Sequence, residues 1–108
     1  MASHHNIDIA GGIRIIEWLR CELLSSVAEL GRLMLAGARA GQDALSDVLA
    51  NIVMVTYLLG QRLGIPFDGI DRKVMAKVRL GILEEHEMEK GGDLSALGEY
   101  IGKRDKEA

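Results

Sequence analysis

The sequence predicts an all-α protein, a four-helix bundle-like fold that assembles with further copies of itself. Three observations carry this expectation. Of 108 residues, 48% are apolar but only 4% aromatic, so the core must draw on Leu, Ile, Val, Ala and Met. There is one proline, and apolar residues do not alternate with polar or aromatic ones as in a half-buried strand. Instead they recur at three- and four-residue spacing along most of the chain. One domain over 1–108 is expected, long enough for a core and marginal alone, with 1–8 and 104–108 as flexible termini.

A first helix is expected over about 9–37, with Asp8 as its N-cap and Gly37 and Gly41 ending it. Ile16, Leu19, Leu23, Val27, Leu30 and Met34 form its inward stripe. Gly11 and Gly12 weaken the start, so the first turn can equally begin near Ile13. A second helix runs from Gln42 or Asp43 to Leu63, with Gly64 at C′ and Pro66 blocking continuation. Asp68 then caps a third helix over about 69–90, whose stripe is Ile70, Val74, Val78 and Ile82. The "GGD" at 91–93 makes a turn and a new cap. A fourth helix over about 94–103 points Leu94, Leu97 and Ile101 inward, and the tail "KRDKEA" is solvated.

The second helix poses a problem. Between 48 and 59 only Asn51 and Thr56 are clearly polar, so the helix is apolar all round. Such a helix belongs inside a larger assembly. Four helices from one short chain scarcely surround it, so a homodimer or homotetramer is expected. At about 100° per residue, Asp43, Asp47 and Asn51 share one stripe with Met54 and Leu58. Burying these polar groups is costly unless something pairs with them.

Composition removes several function classes. A net charge of −3 offers no basic patch, so no nucleic acid polymer is expected as partner, although a divalent cation reverses the local sign for a phosphorylated small molecule. The run at 48–59 is too short for a membrane span, which needs about 20 apolar residues. "MASHHNIDIAGG" has neither the basic nor the apolar region of a secretory signal, and His4 and His5 make poor evidence for a metal site. The single cysteine, Cys21, cannot form an internal disulfide and reads as a small, buried or half-buried residue in a reducing cytoplasm. No nucleophile–base–acid arrangement and no phosphate-binding glycine loop can be traced.

What remains is acidic. On the first helix Glu22, Ser26 and Glu29 lie on one line, with Ser25 beside them, at the edge of the apolar face. They face the same interhelical groove as Asp43 and Asp47. Carboxylates meeting across such a groove form a hard, oxygen-lined site suited to Mg²⁺ or Mn²⁺. Composition and spacing alone favour a plainer reading, in which the glutamates are boundary residues and Asp43 an N-cap. Lys73, Lys77 and Arg79 on the third helix read as a solvated face. "EEHEMEK" at 84–90 lacks the spacing of a metal motif, and Trp18 and Tyr57 read as core or interface more readily than as base-stacking residues.

"SSVAELGRLMLAG", then "DALSDVLANIVMVTYLLGQRLGI", then a charged helix, together resemble the MazG-like all-α nucleoside triphosphate pyrophosphohydrolases over about 13–90. That family shows a glutamate-rich helix of pattern EExxE and a second helix with ExxD leading into an apolar stretch. The resemblance implies Mg²⁺-dependent cleavage of a nucleoside triphosphate into monophosphate and pyrophosphate. It implies Glu29 and Asp47 as catalytic metal ligands, matching the last glutamate of EExxE and the aspartate of ExxD. Ser25, Ser26 and Ala44 stand where further carboxylates belong, and Glu22 and Asp43 are the nearest substitutes as metal ligands. Asn51 is an auxiliary candidate beside them, on the substrate-binding side of the site. By the same resemblance Lys73 and Lys77 are the candidates to contact phosphate. The alternative is a MazG-like oligomer that has lost catalysis and acts as a regulatory, scaffolding or nucleotide-binding protein.

Overall fold

The computed structural model describes the backbone of residues 2–107 and the side chains of 11–37 and 39–104. The chain is 87% helical, with four α-helices and no strand among the described residues, as an all-α MazG-like fold requires. The helices are α1 (Ala2–Ala36), α2 (Gln42–Arg62), α3 (Phe67–Leu83) and α4 (Asp93–Glu107), with single 3₁₀ turns at Gly37–Arg39 and Glu87–Glu89. They form two compact units, Met1–Pro66 and Phe67–Ala108.

The first unit is a hairpin of α1 and α2. Helical backbone begins at Ala2, so Asp8 falls inside α1 rather than at its cap. Gly11 and Gly12 lower helix propensity by about 1 kcal/mol each but leave the backbone hydrogen bonds intact; only proline would have stopped the helix. His4 and His5 lie outside the described side chains. At the other end of the hairpin, α2 closes as its sequence indicates. Gly64 takes φ +90°, its N–H reaches the Gln61 carbonyl at 3.1 Å, and the Ile65 N–H reaches Gly60 at 2.8 Å. This pair of bonds satisfies carbonyls the helix end leaves open, and it needs a left-handed residue that glycine adopts freely.

Leu19, Val48 and Val55 are the buried apolar residues of this unit. Val27 and Met34, expected inward, are exposed, because one neighbouring helix covers a narrower arc than a full bundle. Trp18 is also exposed, and so is Cys21, contrary to the buried or half-buried position expected for it. Leu49, Val53 and Met54 leave an apolar flank of α2 open to water. With 21 residues and an 18-residue stretch of mean hydropathy 1.3, α2 is by length and composition long and apolar enough to cross a membrane. The length argument drawn from the shorter run at 48–59 therefore does not hold.

In the second unit α3 packs on α4 around Val78 and Ile101. A Cβ on Gly81 would come within 2.8 Å of the Leu94 Cδ1 atom, so the glycine lets the start of α4 approach α3 closely. Arg104 pairs with Asp71 at 2.9 Å and lies over the Tyr100 ring. The third helix ends at Leu83, seven residues before its expected end at 90. Its stop repeats the cap of α2: the Glu85 N–H bonds Ile82 at 3.1 Å and the His86 N–H bonds Gly81 at 2.9 Å. Here Glu85 takes the left-handed position, at φ 54°. Asp68, expected as the N-cap, stands within the first turn and accepts from Arg72 at 2.5 Å.

The "EEHEMEK" stretch is thus a connection, and its polar side chains close turns. His86 Nδ1 accepts the Met88 N–H at 3.1 Å. The Glu89 carboxylate accepts the Ser95 N–H at 3.0 Å and the Ser95 hydroxyl at 2.5 Å, capping the first turn of α4.

Candidate active site

The hairpin builds a groove of about 590 Å³ from its two helices. From α1 come Glu22, Ser25, Ser26, Glu29 and Leu33, whose three- and four-residue spacing puts them on one face. From α2 come Ala44, Asp47, Val48 and Asn51. Ser26 meets Asn51 while Leu33 and Ala44 lie farther along, so the helices run antiparallel past each other. The same face of α2 opens on a second hollow of about 320 Å³ lined by Asp47, Ala50, Asn51 and Met54. Asp47 and Asn51 stand on the ridge between the two.

Asn51 links the helices. Its Nδ2 donates to Ser26 Oγ at 2.6 Å and to Glu22 Oε1 at 3.2 Å. Ser26 is the one buried polar residue among those described, at 7% exposure, so the amide–hydroxyl bond is shielded from water. A polar residue heading an apolar helix is tolerated here because partners on α1 satisfy it.

Glu29 is tied elsewhere. Arg32 donates from Nε to Glu29 Oε2 at 3.0 Å and from a terminal nitrogen to Oε1, so both carboxylate oxygens are engaged. This hydrogen bonding holds the Glu29 carboxyl below its ordinary range; shielding from water opposes the effect and charge attraction adds to it. Asp47 is exposed and has no hydrogen-bond or ion-pair partner among the described residues.

Of the expected ligands, Glu22, Glu29 and Asp47 line the groove, and Asn51 lines it with them. Asp43 lies outside the lining, exposed in the first turn of α2, where a carboxylate suits the positive helix end. Lys73 and Lys77 are exposed on α3, in the other unit, and are absent from the lining. Sequence reasoning missed two features: Ser26 as the acceptor that anchors Asn51, and Arg32 as the partner of Glu29. The first had a signal, since Ser26 faces the groove in the same stripe as Glu22. The second had only the three-residue spacing from Glu29, which many exposed pairs share.

The donor set fits a hard divalent cation, because three carboxylates in one groove offer only oxygen ligands. Glu22 is turned to Asn51 and Glu29 to Arg32, and among the described residues no three acidic, histidine or cysteine side chains converge as a metal-holding group. Ser25, Ser26 and Ala44, the three positions that depart from the acidic pattern, all line the groove.

A sequence model of the MazG-like family matches residues 9–94, most of the chain. Comparison with curated proteins and with solved structures gives no match.

Proposed function

The chain belongs to the MazG-like family, and from that premise we propose that its groove binds a nucleoside triphosphate with Mg²⁺ or Mn²⁺ and hydrolyses it to monophosphate and pyrophosphate. The observation that carries this reading is the facing of Glu22 and Glu29 on α1 with Asp47 on α2 across one groove. Surplus or non-canonical triphosphates are the proposed substrates. In the reaction a water oxygen bonds to the α-phosphorus, the bond to the bridging oxygen breaks, and pyrophosphate leaves.

The carboxylates divide the work by their surroundings. Glu29, held ionised by Arg32, is a poor proton acceptor and a suitable metal ligand. Asp47 has no partner among the described residues, so on this reading it is the carboxylate that holds the metal and takes the proton of the attacking water. Glu22 is an auxiliary ligand, and Asn51 fixes its side chain. A bound divalent ion would offset phosphate charge and acidify the attacking water. A second copy covering the apolar flank of α2 belongs to the same proposal.

One observation favours a second reading. Ser25, Ser26 and Ala44 remove three carboxylates from the groove wall itself, which suits a nucleotide-binding protein without turnover. Incubating the purified protein with a panel of nucleoside triphosphates and Mg²⁺ or Mn²⁺ separates the two. Pyrophosphate release that is lost in Asp47→Ala, with helicity retained, supports hydrolysis. Silence across the panel, with nucleotide still bound, selects the second reading.

A further inference from the structure

We propose that Arg32 is an internal counter-ion of the groove: it occupies Glu29 while metal is absent and transfers to the phosphate chain when metal and polyphosphate bind. This rests on the proposed function of the groove, and it goes further by assigning a role to a cation that lines none of its wall.

The geometry is specific. Both oxygens of Glu29 accept from the one guanidinium, so a metal approaching that carboxylate meets a positive charge already seated there. The carboxylate lines the groove, whereas the Arg32 side chain is 71% exposed and free to leave without unpacking anything. An exposed pair of this kind is held only weakly, so a divalent ion can displace it. The guanidinium carries five N–H donors in a planar fork, which matches phosphate oxygens two at a time. A group in hydrogen-bond contact with Glu29 is within one side chain's reach of whatever binds beside it.

The mechanism requires effects of opposite sign. Removing Arg32 frees Glu29 for metal alone but deprives a metal–polyphosphate of its guanidinium. Binding of Mn²⁺ alone and of Mg²⁺-tripolyphosphate is measured by calorimetry on the full chain and on Arg32→Gln, Arg32→Lys and Arg20→Gln. Arg20 is the control, an exposed cation on the same helix paired with Glu17 at 2.9 Å and outside the groove lining. Arg32→Gln is expected to bind Mn²⁺ about fivefold more tightly, the upper range for an exposed ion pair, and tripolyphosphate about tenfold more weakly. Arg32→Lys, which keeps charge but loses the fork, should fall between, and Arg20→Gln should match the unaltered chain.

Equal Mn²⁺ affinity in the unaltered chain and Arg32→Gln overturns the proposal and leaves the proposed function standing. So does tighter Mn²⁺ binding with tripolyphosphate unchanged. Equal shifts in Arg20→Gln reduce the effect to bulk charge and also overturn it. No Mn²⁺ binding to any of the proteins at millimolar metal overturns the inference and the proposed function together.

Discussion

The Asn51 amide is the polar tie between α1 and α2, and its contribution can be isolated. Replacing it with leucine keeps the number and branching of the side-chain heavy atoms and deletes both donors. The bond to Ser26 is short and shielded, so its loss should cost about 1 kcal/mol. The bond to Glu22 is charge-assisted but longer and half-exposed, so about 0.5–1 kcal/mol is a fair allowance. Asn51→Leu should therefore destabilise the chain by about 1.5–2 kcal/mol. With an unfolding entropy of about 2.1 cal/mol/K per residue over 108 residues, this lowers Tm by roughly 7–9 °C. Urea unfolding followed by far-UV circular dichroism on Asn51→Leu, Ser26→Ala and the double variant completes a cycle, in which a coupling of about 1 kcal/mol is expected. A single-variant cost under about 0.3 kcal/mol, or a coupling near zero, would show that the amide holds nothing across the groove.

Four other outcomes are expected. Glu85→Gly relieves a left-handed side chain worth about 1–2 kcal/mol but loosens the unfolded chain, so a net gain of about 0.5–1 kcal/mol should appear in urea unfolding; Gly64→Ala, at the equivalent point of α2, should lose stability instead. Glu89→Ala removes the cap of α4 and should cost about 1 kcal/mol, with amide exchange accelerating first at Ser95 and its neighbours. Carboxyl NMR should place the Glu29 titration below its ordinary 4.5, returning toward it in Arg32→Gln. Because the folded value is the lower one, the stabilisation is complete above the ordinary value and is lost as pH falls through the depressed one. Light scattering should give at least twice 11.8 kDa, and a value near 11.8 kDa would remove the second copy from the proposal.

What could be read in advance depended on where the chemistry was local. The end of α2 was legible because Gly64 and Pro66 are unambiguous, one for the left-handed turn and one for the stop. The end of α3 was not, because the same hydrogen-bond pattern is there closed by a glutamate, which carries no such signal. The groove was legible in outline: the Glu22–Ser26–Glu29 line and the Asp47–Asn51 stripe do meet. The hydrogen bonds within it were not, because Glu22 and Glu29 each have several neighbours within reach and only packing chooses among them. Val27 and Met34 show the limit of periodicity, which marks an apolar stripe without saying how much of it a partner helix covers.

Ser25, Ser26 and Ala44 carry a consequence for assembly. A wall bearing three fewer negative charges repels itself less, so the two helices can close with no counter-ion in solution to draw them together. On the proposed function, folding and ion loading then become separate events, and the hairpin should form as fully in a chelator as in millimolar magnesium. In a groove carrying the full set of acids the two would be linked.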